Sequence, residues 1–63
     1  MMRIAALRNE LGIKQAEIAD KLSVAISAVS MWETGKSMPT ADKLPDLAKI
    51  LGCTIDELFE EEG

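Results

Sequence analysis

The feature that most constrains this chain is an interval. Two apolar runs of helical period, Gln15 to Leu22 and Ala25 or Ile26 to Thr34, are separated by little more than Ser23 and Val24. In the first run Ile18, Ala19 and Leu22 share a face, and in the second Val29 and Trp32 do. So few residues make only a tight turn, too short to fold the second helix back antiparallel on the first. The pair must cross steeply, which leaves the second helix projecting from the body. A helix presented this way fits the major groove of DNA, with its predecessor against the backbone.

The rest of the chain is helical in period and punctuated by glycine. Ile4, Leu7 and Leu11 recur at three and four residues, and Gly12 follows as a left-handed C-cap. Ile13 begins a short linker, Gly35 closes the projecting helix, and Lys36 to Thr40 with Pro39 is a loop. A fourth helix carries Leu44, Leu47, Ala48 and Leu51 and ends at Gly52. Pro45 lacks an amide hydrogen and belongs in its first turn, so Ala41 to Lys43 is expected as a 3₁₀-like lead-in. Thr54 is placed to cap a last short helix from Ile55, with Glu57 in its first turn and Leu58 and Phe59 apolar. No strand pattern or repeat is present. The expected architecture is all-α, five short helices in one domain over residues 1–63, with the acidic end 60–63 frayed.

Composition narrows the function. The chain has 63 residues and is 48% apolar, which is too apolar for a disordered tail yet leaves no run of ~20 apolar residues for a membrane span. Arg3, Arg8 and Glu10 interrupt the first ten residues, which therefore do not read as a signal peptide. Cys53 is the sole cysteine, so no internal disulfide or cysteine-based zinc site forms, consistent with a reducing cytoplasm. Histidine is absent, and the carboxylates surround no credible nucleophile. No enzyme, cofactor or metal site is expected. The net charge of −4 at first argues against nucleic acid, whose binding domains are usually basic. Its distribution removes the objection: Asp56, Glu57, Glu60, Glu61 and Glu62 crowd the C-terminus, and residues 1–55 hold seven Lys/Arg against six Asp/Glu. The acidic end is either a solvated terminus or an electrostatic guard that mimics DNA.

More specific is a resemblance. Gln15-Ala16-Glu17-Ile18-Ala19, Val24 and Ala28-Val29-Ser30-Met31-Trp32-Glu33-Thr34-Gly35-Lys36 resemble the signature of the phage Cro/cI repressor (Xre) family. Leu44-Pro45-x-Leu47-Ala48 and the stretch from Leu51 to Phe59 are similar to its fourth and fifth helices, so the likeness runs from about Ile4 to Phe59. It implies a five-helix, lambda-repressor-like DNA-binding domain acting as a sequence-specific transcriptional regulator of phage type. It also implies double-stranded DNA as partner and a weak homodimer on palindromic operators.

The same resemblance assigns residues. Gln15 matches a glutamine that contacts phosphate from the start of helix two, where helix N-termini favour anions; the bland reading is a surface glutamine. Arg8 and Glu33 match an ion pair that ties helix one to the recognition helix, against the alternative of two unrelated surface charges. Thr34 and Lys36 fall where side chains and backbone amides hold phosphate beyond helix three, though Lys36 is also readable as an ordinary loop lysine. The base-reading positions are Ile26, Ser27, Ser30 and Met31, and here the chain departs from the family. Ile26 and Met31 form no bidentate hydrogen bonds to guanine or adenine, which leaves them the thymine methyl. Ser23 stands in the turn where the family favours Gly, and Ala25 where a capping Ser or Thr is usual.

The remaining residues read as structural. Trp32 is core rather than a stacking platform, Cys53 a buried inert thiol, and Leu58 and Phe59 either a core cap or a dimer seam. Ile26 is either an exposed reader or packed into the core or a partner. Two functions therefore stand: a DNA-binding regulator, and a protein-interaction module on the same fold using an apolar helix-three surface.

Overall fold

In a computed structural model, residues 2–59 are described. Four α-helices form: α1 (Ile4–Leu11), α2 (Gln15–Leu22), α3 (Ile26–Thr34) and α4 (Leu44–Leu51). A 3₁₀ turn, Ala41–Lys43, leads into α4, whose first turn holds Pro45, as the missing amide hydrogen requires. The expected fifth helix is one 3₁₀ turn, Asp56–Leu58, among the described residues. Its start is fixed reciprocally: the Thr54 amide donates to Glu57 Oε1 at 2.9 Å, and the Glu57 amide donates to Thr54 Oγ1 at 3.2 Å. The expectation of a frayed end at 60–63 lies outside the described residues.

The core draws on all four α-helices and the last 3₁₀ turn: Ile4, Ile18, Ala19, Leu22, Val29, Trp32, Leu47, Ala48, Leu51 and Leu58, with Met2 added from the N-terminus. Leu7 and Leu44 pack against it half-buried, whereas Leu11, expected on the apolar stripe of α1, is exposed at its last turn. The periodicity places Leu11 correctly on the helix, but α1 ends there and nothing covers it. Met2 enters the core through a contact that spacing does not reveal. Its backbone forms an isolated antiparallel bridge with Phe59, and the Arg3 amide donates to the Leu58 carbonyl at 2.6 Å. Among the described residues no helix is long and apolar enough to cross a membrane.

The turn between α2 and α3 is Ser23–Ala25. Ser23 takes the left-handed conformation (φ 57°, ψ 43°) and is the one non-glycine residue with positive φ among those described. The amides of Ser23 and Val24 donate back to the Asp20 and Ala19 carbonyls, which close α2. Lys43 adds a brace from outside the motif: its Nζ donates to the Leu22 carbonyl at 3.1 Å, a cation at the negative end of α2. Ala25 adopts the extended N-cap conformation without a side-chain cap, and α3 begins at Ile26.

Candidate nucleic-acid interface

The inner side of α3 is held by packing and by one polar cluster. Val29 and Trp32 are buried, and Glu33 beside them is 8% exposed at its side chain. Arg8, from α1 and 17% exposed, meets Glu33 as a fork: Nε to Oε2 at 2.8 Å and Nη2 to Oε1 at 3.2 Å. Its third nitrogen, Nη1, donates to the Ile13 carbonyl at 3.1 Å in the α1–α2 linker. Gln15 Nε2 donates to Glu33 Oε1 at 2.9 Å, so α1, α2 and α3 join through one carboxylate. Burial alone would raise the Glu33 pKa, but hydrogen bonds from Arg8 and Gln15 and the Arg8 charge outweigh it, and the pKa lies below the ordinary carboxylate range. The Arg8 pKa is raised, chiefly by its hydrogen bond to Glu33. Arg8 and Glu33 are therefore not unrelated surface charges.

Gln15 is correspondingly more than a surface glutamine. A carboxylate only accepts, so the NH₂ end of Gln15 must face Glu33, and one of its two hydrogens is committed there. The other hydrogen, and the amides of Gln15 and Ala16 that take no backbone partner among the described residues, are the donors at the start of α2.

Beyond α3 the backbone amides and the Thr34 hydroxyl converge on one carbonyl. The Met31 carbonyl accepts from the amides of Gly35, Lys36 (3.0 Å) and Ser37 (3.4 Å) and from Thr34 Oγ1 (3.2 Å). These amides turn inward to close the helix, and the Thr34 hydrogen is used in the same way. What Lys36 retains for an outside anion is its exposed side chain.

The outer side of α3 is different in kind. Ile26 is 52% and Met31 41% exposed, Ser27 is exposed, and Ser30 is half-buried. Ile26 is therefore not a core residue. The half of its surface left in water, on a helix otherwise anchored inward, belongs to an open face.

The structure separates two residues that the sequence left open and corrects a third. Leu58 is fully buried and belongs to the core, which removes it from any dimer seam. Phe59 is half-buried and, with Met2, Trp32, Gly35, Ser37 and Met38, lines a cavity of ≈160 Å³. Cys53 is half-buried rather than enclosed; burial, and then the Glu57 charge, push its thiol pKa up, which keeps it protonated at neutral pH. Among the described residues no group of His, Cys, Asp or Glu is arranged to hold a metal ion. The Lys43 brace and the tie between the two termini escaped sequence reasoning, since each joins residues distant in sequence with no periodic signal.

Two short helices joined by a left-handed turn, the second pinned on one side and open on the other, define a helix-turn-helix domain. The chain belongs to the Xre-type helix-turn-helix family, which matches it over residues 4–58. It is 35% identical over 60 residues to the HTH-type transcriptional activator BcrR of Enterococcus faecalis, with 95% of this chain and 29% of that protein covered. It is 44% identical over 56 residues to the 26 kDa repressor protein of Escherichia phage HK022, covering 82% of this chain and 24% of that protein. To the cryptic phage CTXphi transcriptional repressor RstR of Vibrio cholerae it is 32% identical over 56 residues, 89% of this chain and 50% of that protein. The chain thus spans between 24% and 50% of the length of these curated relatives.

Proposed function

We propose that this chain is a sequence-specific DNA-binding transcriptional regulator of phage-repressor type, acting in the cytoplasm without catalysis or cofactor. The observation that carries the reading is the division of α3, whose inner side is locked through Glu33 while its outer side lies open. In this reading α3 enters the major groove and Ile26, Ser27, Ser30 and Met31 face base edges. Gln15 holds a phosphate on one flank. Lys36 holds one on the other by its side chain, with Thr34 beside it. Two of the three relatives above are named repressors, and a domain with one reading helix represses most simply by occupying its operator.

One such helix is too little surface for tight specific binding, so two copies bind half-sites about one helical turn apart. With Leu58 buried, Phe59 and the neighbouring Met38, 60% exposed at the lip of the cavity, are the surface for that weak homodimer. Ultracentrifugation on a palindromic duplex should give two chains per duplex, and strict one-to-one binding would refute the dimer.

A protein-interaction role is the second reading, and the exposed Ile26 and Met31 are what favour it. A salt titration separates the two. Only cations release counterions, so Lys36 with the exposed Lys14 at the start of α2 gives a shallow log–log slope of about −1 to −2 per subunit. Lys36→Ala should lower that slope by about one unit and weaken specific and random duplexes alike. No duplex binding at low salt, or a slope indifferent to Lys36, contradicts the proposal.

A further inference from the structure

We infer that the outer face of α3 recognises the C5-methyl group of pyrimidines rather than thymine as a base, so that 5-methylcytosine substitutes for thymine in its operator. The inference rests on the DNA-binding reading above and adds what that face is blind to. Its two large side chains, Ile26 and Met31, are exposed and carry no hydrogen-bonding group suited to a base edge. In the major groove the thymine C5-methyl is the apolar feature of the four base pairs, so it is what these side chains have to bury.

The polar members of the face do not restore base identity. Ser27 and Ser30 carry hydroxyls that both donate and accept. A hydroxyl meets the O4 acceptor of thymine and the N4 donor of cytosine equally, and likewise N6 of adenine or O6 of guanine on the opposite strand. Thymine and 5-methylcytosine differ in the major groove by those swaps alone, and they share the methyl. No Arg, Lys, Asn, Gln, Asp or Glu stands at these four positions to penalise the exchange. The operator is therefore read as a pattern of methyl groups, and methylation of cytosine at C5 raises affinity by the worth of one buried methyl.

The test begins with a site selected from random duplexes and then uses four versions of one position within it: thymine, uracil, cytosine and 5-methylcytosine, each correctly paired. Thymine and 5-methylcytosine should bind alike, and uracil and cytosine about fourfold more weakly, the worth of burying one methyl-sized group (~0.8 kcal/mol). Ile26→Ala and Met31→Ala should each flatten the series at the position that side chain covers. Binding to the selected site with thymine equal to uracil, or with 5-methylcytosine as weak as cytosine, overturns the methyl inference and leaves DNA binding standing. Failure to bind any duplex at low salt overturns both.

Discussion

The inner and outer faces of α3 are made from the same nine residues and obey different rules. On the inner face Val29 and Trp32 fill the core, and Glu33 accepts three hydrogen bonds from two other helices. On the outer face Ile26 and Met31 stand half in water, and Ser27 beside them is exposed. A substitution inside removes contacts that the fold has already formed; one outside touches contacts that, in the proposed reading, form only on DNA. In the proposed DNA-binding reading, stability and specificity fall on opposite sides of one helix, and each should be alterable without the other.

The largest effect should come from the polar anchor of the inner face. Arg8→Ala or Glu33→Ala leaves a mostly buried charge without its partner and should cost about 3 kcal/mol. That is a large part of the whole for a chain this short, at roughly 0.1 kcal/mol per residue. Urea unfolding measures it, and the double replacement Arg8→Met with Glu33→Leu should recover most of the loss. If the double variant is as unstable as the singles added together, the pair is not a coupled unit. Because the Glu33 pKa in the fold lies below its unfolded value of about 4.3, its contribution is full above that value. The contribution disappears as pH falls through the lower, folded value. The stability gap between wild type and Glu33→Gln should therefore stay constant from pH 7 to about 5 and close on further acidification.

Gln15 sharpens the comparison because it holds Glu33 and, in the proposed reading, a phosphate as well. Gln15→Ala removes a hydrogen bond to a charged group and should cost about 1.5–3 kcal/mol of stability. It should also weaken binding to any duplex without changing the salt slope, since glutamine displaces no counterion. A loss of stability with unaltered DNA affinity would reduce Gln15 to a structural residue.

Smaller effects lie in the turn. Ala25→Asp or Ala25→Ser supplies the N-cap side chain that α3 lacks and should raise stability by about 0.5–2 kcal/mol. Ser23→Gly relieves a left-handed residue and should gain up to about 1 kcal/mol. The reverse change at Gly12, where a Cβ would touch nothing within 4 Å, should cost a similar amount through φ alone. Thermal melts resolve all three, and a destabilised Ser23→Gly would mean that its side chain makes a contact worth more than the strain.

The inner face was legible in the sequence and the outer face only half so. Period, glycine C-caps and the Pro45 position placed the helices to within a residue, because each signal is local. The Arg8–Glu33 fork came through a motif that fixes both positions. What the sequence did not carry were ties between distant residues, namely Met2 with Phe59 and Lys43 with the Leu22 carbonyl. Leu58 and Phe59 are adjacent in sequence, yet one is sealed in the core and the other lines a cavity. Hydrophobicity alone does not separate them. Whether Ile26 pointed in or out was open for the same reason, since an apolar residue in the first turn suits either side.

Ile26→Gln tests the division of α3 most directly, with a thermal melt and a randomised-site selection run on one preparation. A half-exposed side chain should be replaced without loss of stability. The amide then pairs bidentately with adenine, and the selected sites should shift toward it by about 1–3 kcal/mol of discrimination. A fall in stability of 1–3 kcal/mol, the cost of burying an unpaired amide, with no change in the selected sites would contradict the account.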